Sequence, residues 1–528
     1  MFRSPLPDVV IPDVTVYDFL FGSLAEADRE RCALVDGPSG AATTYRELQA
    51  RIDAVAGALA ARGVAPGDVV GLHATNSVEF VVVFHAILRA GATATTVNVM
   101  ATASDLASQL TDSGATTLFT TSALLGQARE GAAAAGIPDE RVIAIDGADG
   151  HPSLDELLAE QHAAPDVTID PATHLAVLPY SSGTTARPKG VMLTHRNLVA
   201  NVVQCGDLVG IEDDDRVLAV LPLFHIYGMT VLLNMALARR AALVTMPRFD
   251  LPEFLRTIQD EKCTLVFIAP PIALALAKHP LVDSYDLSSV HTMTSGAAPL
   301  DGKVGAAVTE RIGCRMRQGY GMTEMSPVSH VIPLDRDDIA LSSVGITIPN
   351  VECKLIDTLT GAEIEVPAEG VSEPGELLCK GPNIMVGYLG NPEATAATID
   401  ADGFLHTGDI ATVDADGLVT VVDRLKELIK YKGYQVAPAE LEAVLVSHPL
   451  IADAAVIAGR DAEGEEIPKA FVVLQAGAEL DGDDVIAFVA ERVAPHKKVR
   501  EVAMIDSIPK SAAGKILRKD LRALEVVA

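Results

Sequence analysis

Between Tyr180 and Asn197 the chain reads YSSGTTARPKGVMLTHRN, with Ser181, Ser182, Thr184 and Thr185 set around Gly183 and followed by Lys189 and Gly190. Small residues let backbone approach a polyphosphate closely, hydroxyls and N–H groups donate to its oxygens, and a lysine supplies charge. The G-x-x-x-x-G-K-[ST] spacing of a Walker loop is missing, so any phosphate handling here is of another kind. A Ser/Thr/Gly-rich surface turn has similar wording. A second element, PKSAAGKILRKDL at 509–521, sets Lys515 behind a glycine. Each further candidate also has an ordinary reading. A lysine near a C-terminus is usually solvated, Asp409 after HTG suits a turn, Glu324 suits a first helical turn, and His225 lies in an apolar segment where packed histidines are common. Their claim to chemistry rests on arriving together.

The elements that must position these groups follow from length and pattern. A chain of 528 residues exceeds one ordinary core, and 49% hydrophobic with 21% charged residues is a globular composition. The net charge of −30 and pI near 4.7 argue against a general nucleic-acid or anionic-membrane surface. An anionic substrate must then be held by local basic groups. Six cysteines without C-x-x-C spacing suggest neither a disulfide framework nor a zinc site. The N-terminus lacks a signal-peptide apolar region, and no apolar run reaches membrane-spanning length. A soluble, cytoplasmic protein is expected, either a monomer or a homodimer.

Residues 68–145 alternate strand-like and helix-like segments, and the rhythm resumes at Leu175–Leu178, Val217–Leu221 and Leu265–Ile268, which predicts parallel α/β layers. From Val344 the Gly/Pro punctuation predicts a small antiparallel β unit. After Arg424 a compact last segment is expected, with helices at 439–447, 484–492 and 513–521 and strands at 454–457 and 470–474. The expected fold is α/β. A large N-terminal domain of layered sheets and helices spans 1–424, and a smaller, mobile α+β domain spans 425–528.

In chain order SSGTTARPKG, LPLFHIYGM (221–229), SGAAPL (295–300), QGYGMTE (318–324), HTGD (406–409), DRLKELIKYKGYQVAPAELE (423–442) and KSAAGKILR (510–518) resemble the signatures of the adenylate-forming, or acyl-CoA synthetase, superfamily. The resemblance spans almost the whole chain. It implies that a carboxylate attacks the α-phosphate of ATP to give acyl-AMP and pyrophosphate, and that a thiol then takes the acyl group. By resemblance Lys515 reaches the bridge between carboxylate and α-phosphate. Thr184, Thr185 and Lys189 handle the β- and γ-phosphates, Ser181, Ser182 and Gly183 also bind the nucleotide, and Thr323 touches the α-phosphate. Glu324 helps hold Mg²⁺, Asp409 and Arg424 take the ribose, and Gln318, Gly319 and Tyr320 frame the adenine.

For the second half-reaction KYKG resembles the segment that faces the site once the C-terminal domain has turned about Lys426. Lys430 and Gln435 then contact the adenylate, and Lys432 and Gly433 lie along coenzyme A. Within the superfamily the motifs look most like the 4-coumarate–CoA ligase clade, especially its actinobacterial members. That implies an acyl pocket of Ile226, Tyr227, Gly296, Ala297, Gly319, Pro327 and Val328, with His225 as a further catalytic candidate. The expected activity is an ATP- and Mg²⁺-dependent ligase joining an aromatic, hydroxycinnamate-like acid to coenzyme A. A medium- or long-chain fatty acid, an amine or carrier-protein acceptor, and a non-catalytic nucleotide-binding regulator are the alternatives. One departure from the pattern is Ala186, where the phosphate loop ordinarily has glycine.

Overall fold

The longest apolar helix, Val78–Arg89, is buried nearly all round, from Val78 through Phe80–Leu88. A helix without a polar face must lie between two apolar layers. It touches strand Cys32–Asp36 on one side and strands Val69–His73 and Thr93–Thr96 on the other. Those strands belong to two different sheets, so this helix forms the middle layer of the N-terminal domain. The computed structural model describes residues 1–181, 188–432, 434–461, 465–512 and 514–525.

Among the described residues one sheet has nine strands. Its parallel centre runs Arg315–Gly321, Thr292–Ser295, Leu265–Ile268, Arg216–Ala219, Ala242–Thr245 and Cys32–Asp36, with an antiparallel extension from Val328–Val331 to Ile346–Thr347. The other sheet of this layered pair centres on parallel strands Thr93–Thr96, Val69–His73, Ala115–Thr120 and Val142–Ala144. Its far edge is antiparallel: Leu175–Val177, Lys189–Thr194 and Gly387–Tyr388. A third, antiparallel sheet holds Glu352–Ile356, Gly375–Lys380, Leu405–Val413 and Val419–Arg424. It is the β unit expected after Val344. Several helix starts are written locally. Thr44 with Glu47 and Thr194 with Asn197 make reciprocal capping pairs.

The smaller C-terminal domain pairs Ile451–Arg460 with Glu466–Leu474 and adds Glu501–Met504 in parallel. The helices Pro438–Val446 and Gly482–Ala490 contribute Leu441, Leu445, Val485 and Val489 to a core of their own. The large core of the N-terminal domain runs from Val16 to Val419. Between the two lies a small apolar seam of Ile410, Leu428 and Ala437, with Val422 and Leu425 against it. Among the described residues no helix is long and apolar enough to cross a membrane.

One expected element differs. The helix predicted over 513–521 begins only at Arg518. Gly514 takes φ +81°, and Lys515 N–H donates to Ser511 Oγ at 3.1 Å, so residues 514–517 are not helical, while 513 lies outside the described residues. Lys510 and Ile516 form a β-bridge. The consequence is that Lys515 stands on a loop that reaches into the large domain.

Candidate active site

Parallel strands deliver their loops to one sheet end, and crevices form there. Phe267 of strand Leu265–Ile268, the SGAAPL loop after Thr292–Ser295, and Gly319–Thr323 at the end of Arg315–Gly321 converge on one pocket with about 620 Å³ of atom-free space. All seven residues expected to hold an acyl group line it: Ile226, Tyr227, Gly296, Ala297, Gly319, Pro327 and Val328. His225, Tyr320, Thr323 and Lys515 line it as well. Ala297 is held at φ +71°, a region that costs a non-glycine residue about 1 kcal/mol or more. Gly296 is required by contact: a Cβ there would lie 2.8 Å from Tyr227 Cε1.

The ionisable groups form a compact electrostatic set. Asp409, in strand Leu405–Val413, is buried, accepts from Tyr320 Oη, and faces its cross-strand neighbour Arg424, whose Nε is 3.5 Å from Oδ1. Burial raises the Asp409 pKa, while Arg424, the Tyr320 hydroxyl and Lys515 oppose the rise. Burial lowers that of Lys515; Arg424 adds to the fall, and Asp409 and Glu324 resist it. Burial, with Lys515 adding to it, pushes His225 down to about 3, so its imidazole is neutral. Its Nδ1 accepts from Tyr227 N–H at 3.2 Å, which leaves the proton on Nε2.

Glu324 is buried, and its Oε1 accepts from Ser181 Oγ at 3.1 Å and Tyr388 Oη at 2.8 Å. Lys189 Nζ lies 4.0 Å from the centre of the Tyr388 ring. Tyr388 was not among the expected residues, yet it joins the lysine of the phosphate loop to the carboxylate. A buried oxygen donor fits a hard dication. No group of three or more His, Cys, Asp or Glu suited to a metal occurs among the described residues, so Mg²⁺ on Glu324 would share its remaining ligands with phosphates and water.

The phosphate loop is anchored by its flanks. Lys189 pairs with Ser181 and Gly190 with Tyr180, so the two ends of the loop are held side by side. Ser182, Gly183, Thr184, Thr185 and Ala186 lie outside the described residues, as does Gly433. Gln318 is buried with its side chain on backbone: Oε1 accepts from Leu300 N–H at 3.0 Å, and Nε2 donates to Leu300 and Leu341 carbonyls. It thereby fixes the SGAAPL loop. Lys430, Lys432 and Gln435 are exposed on or beside the hairpin Ile429–Tyr431/Tyr434–Val436, away from the pocket. Lys426 is exposed just after Arg424, in the turn that Leu428 N–H closes onto the Arg424 carbonyl at 3.2 Å.

The pocket also draws on Val209, Val231, Phe267, Thr294 and Val331. These come from a helix end, a buried helix and three strands. Apart from Thr294, only their apolar character was visible in the sequence, and it marks core residues equally well.

An apolar pocket that meets Lys515 close to the buried acids Asp409 and Glu324, with Ser181 bonded to Glu324, suits an enzyme that activates carboxylates with a nucleotide. The AMP-binding enzyme family matches residues 23–389, and the AMP-binding enzyme C-terminal domain matches 440–515. The chain is 42% identical to 4-coumarate–CoA ligase 5 of Oryza sativa subsp. japonica, over 99% of this chain and 97% of that one. It is also 42% identical to 4-coumarate–CoA ligase 1 of Solanum tuberosum, over 99% and 96%. Among solved structures, the anthranilate CoA ligase AuaEII in complex with anthranoyl-AMP superposes with a TM-score of 0.89 at 26% identity, covering 98% of this chain and 99% of that chain. ATP-bound MatB from Rhodopseudomonas palustris gives 0.87 at 29%, covering 97% and 99%. The chain belongs to the AMP-binding enzyme family, within it as an adenylate-forming acid–thiol ligase.

Proposed function

We propose that the protein joins a 4-coumarate- or cinnamate-like aromatic acid to coenzyme A. The observation that carries this reading is the pocket's lining: Tyr227 lies against Gly296 and meets Phe267 edge to face at 6.4 Å, so two aromatic rings stand where an aromatic acid would pack. The 4-coumarate–CoA ligases found at 42% identity support it. Lys515 stabilises the charge gathering where the carboxylate attacks the α-phosphate. Lys189 and the hydroxyls of the phosphate loop steer pyrophosphate, and Glu324 holds Mg²⁺, which supplies charge neutralisation at the phosphates. Asp409 and Arg424 take the ribose, Gly319 and Tyr320 frame the adenine, and His225 presents Nε2–H beside the acyl group. Lys430, Gln435, Lys432 and Gly433 serve the thiol step.

The boundary lies at 424/425 and the pivot at Lys426. Separate cores on the two sides and the turn at Arg424–Leu428 support this. A monomer or homodimer in a reducing cytoplasm fits six free cysteines, all but Cys32 buried. Pyrophosphate release over a panel of cinnamic, benzoic and straight-chain acids, with and without coenzyme A, tests the reading. Turnover highest with a straight-chain acid, or release that never leads to a thioester, would overturn it.

Two substitutions sharpen the assignment. Gly296→Ala must displace the Tyr227 ring, because the added methyl falls inside contact distance. The KM for a bulky aromatic acid should rise about tenfold with the KM for ATP unchanged, the scale of one misplaced methyl in a close-packed pocket. Equal changes in both constants would place Gly296 outside the acyl wall. Tyr388→Phe keeps the ring under Lys189 and removes the hydroxyl donated to Glu324. The Mg²⁺ concentration giving half-maximal adenylation should rise about tenfold or more, as for one lost hydrogen bond to a charged group. An unaltered Mg²⁺ titration would remove Glu324 from metal binding.

A further inference from the structure

We infer that Lys278 is a positioning residue for adenylation, holding the C-terminal domain in the orientation that presents Lys515 to the pocket. The inference rests on the ligase reading above. Lys278 ends helix Pro270–Lys278, which follows strand Leu265–Ile268 of the nine-stranded sheet. Its Nζ donates to the carbonyls of Val446 and Ile451, each at 3.3 Å. Val446 is the last residue of helix Pro438–Val446, so its carbonyl has no N–H partner within the helix and lies at the negative end of the dipole. An ammonium from the large domain therefore caps a helix of the small one.

The other end of the same helix also meets the small domain. A Cβ on Gly514 would lie 3.2 Å from Ala269 Cβ and 3.5 Å from Pro271 Cδ, so the backbone leading into Lys515 is seated on the helix start. Nine residues of helix span roughly 12 to 14 Å. Two contacts that far apart fix a direction as well as a point, whereas the Gly514 contact alone would let the domain swivel about it. Lys278 does not line the pocket. In the turned orientation that the thiol step requires, its two acceptors leave with the small domain. The contact thus belongs to one half of the cycle, and its loss should be felt in that half.

Lys278→Met keeps the aliphatic stem and removes the donors; Lys278→Arg keeps donors. With the methionine variant, acid-dependent pyrophosphate release should fall about three- to tenfold, the scale of losing one exposed and one partly buried charge-assisted hydrogen bond. Thioester formation from supplied acyl-AMP and coenzyme A should stay at the wild-type rate, and the arginine variant should recover release. In the unliganded protein, amide hydrogen exchange over 447–451 should quicken in the methionine variant. Equal loss in both half-reactions, no loss in either, or unchanged exchange over 447–451 would overturn the inference. A wild-type protein that releases no pyrophosphate with any acid would instead refute the ligase reading, and the exchange comparison would then decide the docking contact by itself.

Discussion

Lys515→Ala should lose acid-dependent pyrophosphate release by roughly two to three orders of magnitude, the scale of removing one preorganised charge from a developing oxyanion. Thioester formation from supplied acyl-AMP should fall far less. The reasoning runs from place to charge. Lys515 lines the pocket beside Thr323 and Tyr320, and the set around it comprises Asp409, Glu324 and Arg424. Burial holds its pKa below the ordinary lysine value of 10.5, with Arg424 adding to the fall. The protonated form is the useful one, so kcat/KM for ATP in adenylation should decline as pH rises through that lowered pKa, earlier than a solvated lysine allows. The thioester half-reaction should lack this alkaline limb. Equal damage to both half-reactions, or a shared limb, would remove Lys515 from the adenylation step.

Lys426→Pro should divide the cycle. Proline fixes φ, removes an N–H, and pushes Leu425 out of the helical region. Residues 424–428 form a turn in which Glu427 and Leu428 N–H both reach the Arg424 carbonyl, a geometry that must change if the small domain rotates here. Steady-state thioester synthesis should drop more than about tenfold, as expected when a conformational step is blocked. One half-reaction, assayed alone, should keep most of its rate. Normal turnover by this variant would place the pivot elsewhere.

The fold was legible where pattern alone decides it. Leu265–Ile268 is the strand the sequence predicts, and helix Val78–Arg89 falls inside the alternating stretch 68–145. Residues that share a short motif, such as Gly296 and Ala297 or Tyr320 and Thr323, were found because the motif carries them together. Tyr388 was not, since its GYLG setting reads as β punctuation. It becomes a site residue only when Gly387–Tyr388 pairs with Lys189–Thr194 and brings its ring to Lys189. Phe267 and Val331 are apolar strand residues like their neighbours, and only the sheet order turns them toward the pocket. The helix misplaced over 513–521 has the same origin: AAGKILRKDL is helical by propensity, and the docked loop overrides it before Arg518.

The narrow apolar seam of Ile410, Leu428 and Ala437 has a thermal consequence. Each domain has a core of its own, so the proposed rotation would break into neither core and would carry little heat-capacity change beyond that of the seam. Temperature therefore has little grip on the balance between orientations, in contrast to unfolding. Beside that seam, the polar contacts between the domains include Lys278 on two carbonyls and Lys515 among carboxylates. Screening acts on such contacts directly. On the proposed cycle, salt more than warmth would set how long the enzyme dwells in each half of its work.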